Sequence, residues 1–177
     1  MLLDEKHYLN YVFLEKALDR LLCFKFATTK HATVIYKMIT KIRHIGIIVN
    51  SAYETAEMYK NLLSLRDEDI KYVPPRGTET DTIFAFIPIG DIELELIQPI
   101  TEKFRNFLGN PREGINHVAF TVSNLDEAVQ QMSEKGIRLG HVTKDGILDM
   151  QRSRVAYFNP QDTGGMLIEL VEPREQS

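Results

Sequence analysis

Two histidines and two glutamates recur at matching positions of the chain, and all four are residue types that bind metals. Glu95 follows His44 by 51 positions, and Glu169 follows His117 by 52. Each histidine opens a run of apolar and β-branched residues, and each glutamate lies inside a similar run, LELIQP or IELVEP. These runs are typical of β-strands, in which alternate side chains share a face. The four side chains can therefore meet on one surface of a sheet.

A carboxylate on an apolar strand face is costly unless a positive group meets it. No Lys or Arg occupies the matching positions of these strands, so a cation would be needed to satisfy the group. Two imidazoles and two carboxylates suit Zn, Ni, Co, Mn or Fe(II) better than Ca or Cu(I). The alternative for each residue alone is an edge histidine or a solvent-facing glutamate, but the coincidence in both halves favours the metal. We predict one divalent ion bound by His44, Glu95, His117 and Glu169.

The segments around these residues form an internal repeat. RHIGIIVNSAYETAEMYKNLLSL (43–65) matches NHVAFTVSNLDEAVQQMSEKGIRL (116–139), and IFAFIPIGDIELELIQP (83–99) matches RVAYFNPQDTGGMLIELVEP (154–173). Each copy predicts a strand, a helix and further strands, with helices at 53–63 and 125–135. Asn124 or Ser123 is the expected cap of the second helix and Gly136 its expected stop. On the strand that carries Glu95, alternation places Glu93 on the same face.

The length, charge and composition of the chain limit the class of protein to which it can belong. Its 177 residues fit one compact domain or a pair of small repeats. The excess of 25 acidic over 21 basic residues, a net charge of −4, argues against a nucleic-acid coat and a polybasic membrane patch. The single cysteine, Cys23, excludes an intrachain disulfide. With no membrane-length apolar run and no signal-like start, we expect a cytoplasmic protein without nucleic-acid or membrane partners.

The predicted organisation has two parts. Residues 1–38 are predicted to form an N-terminal helical extension, because Tyr11, Leu14, Leu18 and Leu21 recur at helical spacing. Residues 39–175 are predicted to form the functional domain. Within it, module one covers 42–100 and module two covers 114–173.

Four pieces of this domain resemble a known family: HIGIIV, FIPIGDIELELIQPI, GINHVAFTVSNLDEAVQQMSEKGIRL and VAYFNPQDTGGMLIELVE. The pattern resembles the vicinal oxygen chelate (glyoxalase/bleomycin resistance/dioxygenase) superfamily and is most similar to its methylmalonyl-CoA epimerases. The resemblance implies an α+β fold, in which two tandem βαβββ modules form a curved, half-open mixed sheet around the metal. It also implies a homodimer.

The resemblance further implies a chemistry. His44, Glu95, His117 and Glu169 fall on the family's ligand positions, and the ion is expected to be Zn, Co, Ni or Mn. The expected substrate is a small molecule, a CoA thioester, whose α-proton leaves to form an enolate. Glu169 and Glu95 are the expected catalytic residues, with carboxylates on either face exchanging the proton.

The sequence departs from the epimerase pattern in two places. Many epimerases carry a glutamate, a proposed base, before a Gln-Gly or His-Gly turn; this chain has KYVPPRGTETDT (71–82), where Glu79 or Asp81 substitutes only with a shift. A second expected loop, rich in glycine, is replaced by DGILDMQRSRVAYF (145–158).

Three other functions remain open at this point. A glyoxalase I-type lyase, acting on a thiol–aldehyde adduct, uses the same four ligands. A dioxygenase fits less well, because those sites generally use two histidines and one carboxylate. A non-catalytic, antibiotic-sequestering binder fits less well too, because such proteins generally lack the ligands.

Overall fold

The computed structural model describes residues 38–150 and 152–174. The predicted extension, 1–38, lies outside these residues except for Met38. The described strands form one mixed sheet: β1 Ile39–Ile48, β2 Lys71–Val73, β3 Thr82–Ile89, β4 Ile92–Pro99, β5 Gly114–Val122, β6 Leu148–Asp149, β7 Ser153–Phe158 and β8 Leu167–Pro173. The described α-helices are α1 Ala52–Leu63, α2 Glu102–Phe107 and α3 Leu125–Glu134.

The sheet order, β2-β3-β4-β1-β5-β8-β7-β6, is two copies of one arrangement joined in the middle. In each copy the first strand pairs in parallel with the last, β1 with β4 and β5 with β8, while the other pairs are antiparallel. The copies meet through the antiparallel pair of β1 and β5. The predicted α+β fold of two βαβββ modules in a curved, half-open mixed sheet is confirmed.

The two long helices begin and end where local chemistry favours it. The side chain of Ser51 accepts a hydrogen bond from the Glu54 amide at the start of α1, and Ser64 ends that helix in the left-handed region. Asn124 caps α3 by accepting from the Glu127 amide at 3.1 Å, so the asparagine rather than Ser123 is the cap. The observed bounds lie within one residue of the predicted ones. None of the described helices has the length and apolar composition that crossing a membrane requires.

Each long helix packs against its own half of the sheet, and this packing decides which sheet face remains for the site. Between α1 and the sheet, buried residues of the helix pack against residues of β3 and β4 that face the helix: Ala52, Ala56, Ala85, Ile87 and Leu96. Under α3 the corresponding set is Leu125, Ala128, Met132, Ala156, Phe158 and Leu170. Because side chains alternate along a strand, the neighbours of these core residues point to the opposite face. We call that opposite face, which the helices do not cover, the inner face.

Candidate metal centre

Four neighbouring strands of the sheet bring the predicted ligands together on the inner face. His44 lies on β1, Glu95 on β4, His117 on β5 and Glu169 on β8. The register of the two modules is equivalent: Glu95 is the Cα partner of Gly46, and Glu169 is the Cα partner of the residue two after His117. The repeat therefore places each His–Glu pair in the same relative position.

The ligand atoms converge within hydrogen-bonding distance of one another. Nε2 of His44 lies 3.1 Å from Nε2 of His117. Oε2 of Glu169 lies 3.0 Å from the first of these nitrogens and 3.2 Å from the second. Oε2 of Glu95 lies 3.3 Å and 3.5 Å from the same two atoms. Ligand atoms about 2.0–2.2 Å from one ion lie roughly 3–3.5 Å from each other, so these spacings suit a shared divalent ion.

The environment of Glu169 supports the same fit. Its Oε2 atom is buried and has no hydrogen-bond partner within the described part of the chain, although both imidazole Nε2 atoms are within ion-pair distance. A buried carboxylate oxygen without a hydrogen bond is costly, and a cation removes that cost. His44, Glu95 and His117 also offer atoms that lie within 4.8 Å of one another. The residues present therefore fit a divalent metal; their role as ligands stays a prediction.

Asn116, which was not singled out from the sequence, fixes the orientation of one predicted ligand, His117. Its Oδ1 atom lies 2.9 Å from Nδ1 of His117. Because an amide oxygen only accepts, Nδ1 donates to Asn116, and Nε2 is the ring nitrogen that faces the site. This arrangement, in which the second ring nitrogen is held by a neighbour, is usual for metal-binding histidines.

Gly46 provides the space in which the ring of His117 lies. The two residues are Cα partners across β1 and β5. A Cβ built on Gly46 would lie 2.1 Å from Cε1 of the imidazole and 2.6 Å from Nε2. Any larger residue at this position therefore displaces the histidine. The sequence contained a signal for this role, because the glycine lies two residues after His44 on the same strand face.

The carboxylates and imidazoles shift one another's pKa values. Burial alone would lower the pKa of His117, but the adjacent carboxylates of Glu169 and Glu95 raise it to about 9. Burial alone would raise the pKa of Glu169, but His117 and His44 together lower it to about 2. In the metal-free protein the raised pKa therefore favours the protonated form of His117. Metal ions and protons compete for the same nitrogens.

Tyr157 is a second residue that the sequence argument did not identify as part of the site. It is the Cα partner of Glu169 across β7 and β8. Its ring meets the ring of His117 edge to face, with 5.4 Å between centroids. Burial, followed by the charges of Glu169 and Glu95, raises the pKa of Tyr157 well above its ordinary value, so the phenol is neutral. Phe86 holds the equivalent place in module one, as the partner of Glu95.

Residues 71–82, where the sequence departs from the epimerase pattern, make contacts outside the predicted metal site. The guanidinium of Arg76 lies over the rings of Tyr53 and Tyr72 and donates to the Tyr72 hydroxyl at 2.7 Å. Asp81 accepts a hydrogen bond from Thr101, the residue that caps α2. Glu79 is exposed. These contacts give Arg76 and Asp81 structural roles.

A family model described as the glyoxalase/bleomycin resistance protein/dioxygenase superfamily matches residues 43–158. This range includes three of the four predicted ligands and most of both modules. The chain belongs to this superfamily. The resemblance noted from the sequence pieces is thereby confirmed.

Individual proteins of known name or structure within this superfamily are similar to the chain. Human mitochondrial methylmalonyl-CoA epimerase is 26% identical over 75% of this chain and 73% of its own length. The uncharacterized protein YqjC of Bacillus subtilis (strain 168) is 29% identical over 77% of this chain and 94% of its own. A solved methylmalonyl-CoA epimerase, in complex with methylmalonyl-CoA and NH4+, superposes with a TM-score of 0.59 at 25% identity, covering 76% of this chain and 95% of that one. These relatives confirm the prediction of an enzyme related to the isomerases of the superfamily.

Proposed function

We propose that this chain is a divalent-metal-dependent epimerase that inverts the α-carbon of a carboxyacyl-CoA thioester such as methylmalonyl-CoA. The observation that carries the proposal is the convergence of His44, Glu95, His117 and Glu169, with nitrogen and oxygen atoms 3.0–3.5 Å apart, on the inner face. The relatives named as epimerases support the choice of reaction and of thioester.

The residues of the site have separate tasks in this reaction. A divalent ion held by the four side chains would stabilise the negative charge that develops on the thioester oxygen. Glu169, buried between the two imidazoles, would act as the base in its ionised form. Asn116 keeps the imidazole of His117 in the orientation that faces the substrate side.

The inner face also provides walls that shield the reacting carbon from water. Phe84 and Phe86 on β3 lie parallel, with 6.3 Å between ring centroids. On the other side of the site, Tyr157 packs with the buried residues Val155 and Val171. These surfaces are suited to the apolar part of an acyl chain. They also strengthen electrostatic interactions by excluding water.

The test measures loss of the α-proton and inversion of the α-carbon separately. Purified protein is stripped with a chelator, reloaded with Zn, Co, Ni or Mn, and incubated with methylmalonyl-CoA in D2O. We expect deuterium at the α-position and conversion of either enantiomer into the mixture, both dependent on the added metal. His44→Ala is expected to lose both activities together with bound metal.

Three results would contradict the proposal. Absence of α-deuteration by the metal-loaded protein would remove the epimerase assignment for this substrate. Turnover of the hemithioacetal of methylglyoxal and glutathione, with no exchange on the thioester, would assign the chain to the glyoxalase I-type lyases. Unchanged metal content in His44→Ala would remove the metal site itself.

A further inference from the structure

Tyr157 contacts two of the predicted ligands at once. It pairs with Glu169 across β7 and β8, so both side chains lie on the inner face. Its ring packs edge to face against the ring of His117, which packs in the same way against the ring of His44 with 5.2 Å between centroids. Its hydroxyl forms a hydrogen bond with the carboxylate of Glu169. Tyr157 therefore reaches the predicted metal centre through a carboxylate of that centre.

The two carboxylate oxygens of Glu169 have different surroundings. Oε2 lies 3.0 Å from Nε2 of His44 and 3.2 Å from Nε2 of His117, and it has no hydrogen-bond partner within the described part of the chain. Oε1 is therefore the oxygen that remains for the phenol. Because an ionised carboxylate only accepts, Tyr157 is the donor of this bond. One oxygen thus faces the imidazoles, while the phenol holds the other.

The backbone of Tyr157 is held at both edges of its strand. On one edge it pairs with β8. On the other edge lies Thr143, a residue only 1% exposed, whose Oγ1 accepts from the Tyr157 amide at 2.8 Å and donates to the Tyr157 carbonyl at 2.9 Å. The amide of Gly140 donates to the same carbonyl at 2.7 Å. These bonds fix the position from which the phenol reaches Glu169, as a residue that orients a metal ligand requires.

The comparison with module one shows that packing alone does not require the hydroxyl. Phe86, the partner of Glu95, holds the equivalent place there. The other residues that pack around Tyr157 on the inner face are buried and apolar, so a phenylalanine ring would be sufficient. A hydroxyl among apolar residues is costly unless it forms a hydrogen bond. The hydroxyl therefore indicates a role at Glu169 that module one does not repeat at Glu95.

Resting on the metal site of the function proposed above, we propose that Tyr157 is a positioning residue, whose hydroxyl holds one oxygen of Glu169 so that only Oε2 is free to bind the ion. A carboxylate that binds an ion through one oxygen takes one coordination position, whereas a carboxylate that binds through both oxygens takes two. Catalytic metal sites keep a position open for substrate. The hydrogen bond from Tyr157 thus preserves a position for an oxygen atom of the thioester.

The experiment compares the wild type with Tyr157→Phe, which introduces the residue of module one. Both proteins are stripped with a chelator and loaded with Co(II), whose visible absorption weakens as ligands are added. In the variant both oxygens of Glu169 can bind, so we expect weaker absorption at full Co(II) occupancy. Loss of a neighbour that orients a ligand typically costs 10- to 100-fold in activity, so kcat/KM for α-proton exchange is expected to fall about tenfold.

Tyr59→Phe is the matched control, because it removes the hydroxyl of a half-buried tyrosine that packs against the core under α1. It is expected to keep the Co(II) spectrum and the activity of the wild type. A wild-type spectrum in Tyr157→Phe overturns the proposal even if stability falls, because a packing role changes stability alone.

Absence of bound Co(II) in the wild type also overturns the proposal, since Glu169 would then have no ion to bind. The Co(II) spectrum does not depend on turnover. A wild-type protein that binds Co(II) but does not exchange the α-proton contradicts the proposed function, while the spectra of the two variants still decide the role of Tyr157. The two failures are therefore distinguishable.

Discussion

The two modules contribute the same pair of predicted ligands, a histidine and a glutamate, but bury them to different degrees. In module two the side chains of His117 and Glu169 are 2% and 5% exposed. In module one the side chains of His44 and Glu95 are 9% and 13% exposed. Module two therefore provides the more enclosed half of the site. Module one provides the half that water and substrate reach more easily.

The residues next to the ligands differ more than the ligands do. Asn116, which orients His117, is replaced by Arg43 before His44. Gly46, which makes room for the ring of His117, corresponds to Ala119 facing His44. The predicted ligands are thus repeated in both modules, whereas the residue beside each histidine differs between them. The comparison predicts that equivalent substitutions in the two modules have unequal effects.

The largest difference is expected between the two glutamates. Glu169→Gln removes a ligand charge and the proposed base together, so we expect kcat/KM for α-proton exchange to fall about 1,000-fold or more. Glu95→Gln keeps an oxygen that can bind the metal and leaves Glu169 in place, so a loss of roughly 10- to 100-fold is expected. Kinetics at saturating metal, with metal content measured in parallel, separate the two. Equal losses would show that the modules are functionally equivalent.

The next difference concerns the small residues opposite the histidines. In Gly46→Ala the new Cβ would overlap the imidazole of His117, so the ring must move. We expect metal affinity to fall at least about tenfold and stability to fall by about 1–3 kcal/mol, the usual range for overpacking. The reciprocal change, Ala119→Gly, adds no atoms. It is expected to cost about 1 kcal/mol with little effect on metal affinity.

Metal titration and denaturant unfolding of both variants test this pair. Wild-type metal affinity in Gly46→Ala would mean that the sheet opens to accept the methyl group. A large loss of affinity in Ala119→Gly would mean that contact with the methyl group positions His44.

The sequence was sufficient for the fold because the repeat supplied two independent copies of each pattern. The alternation around His44 and His117, together with the matched glutamates, predicted which strand faces would meet. Helix bounds came within one residue because capping residues such as Asn124 act locally. These features depend on periodicity and on neighbours in sequence.

The surroundings of the ligands could not be predicted in the same way, because they depend on pairing across strands. Gly46 is close to His117 only through the register of β1 and β5, which includes irregularities between Gly46 and the next residue. Tyr157 reaches the site because it pairs with Glu169 on β8. In the other repeat Phe86 holds the equivalent place. The sequence therefore showed a tyrosine in one repeat and a phenylalanine in the other, but not that the tyrosine ring would contact His117.

A smaller effect is expected from the residues that precede the histidines. Asn116→Ala removes the acceptor that holds Nδ1 of His117, so the ring can rotate or change tautomer. Loss of such a neighbour typically costs 10- to 100-fold, and we expect about tenfold here in metal affinity. Arg43→Ala, at the equivalent position of module one, is the control and is expected to change affinity less than about twofold. Similar losses in the two variants would contradict a special orienting role for Asn116.

The last prediction concerns the pH dependence of the stability of the metal-free protein. Because the pKa of His117 is raised to about 9 when folded, above its ordinary value near 6.5, its protonation stabilises the fold fully below about pH 6.5. That contribution is lost as pH rises through 9. The lowered pKa of Glu169 gives the opposite dependence, a contribution present above about pH 4.5 and lost as pH falls toward 2.

Urea unfolding of chelator-treated protein between pH 6 and 10 measures the alkaline limb. His117→Gln should flatten it, because the glutamine carries no proton to lose. In the metal-loaded protein the same limb should also disappear, since the imidazole is already neutral and the ion takes the place of the proton. An alkaline loss of stability that persists in His117→Gln would assign the titration to another group.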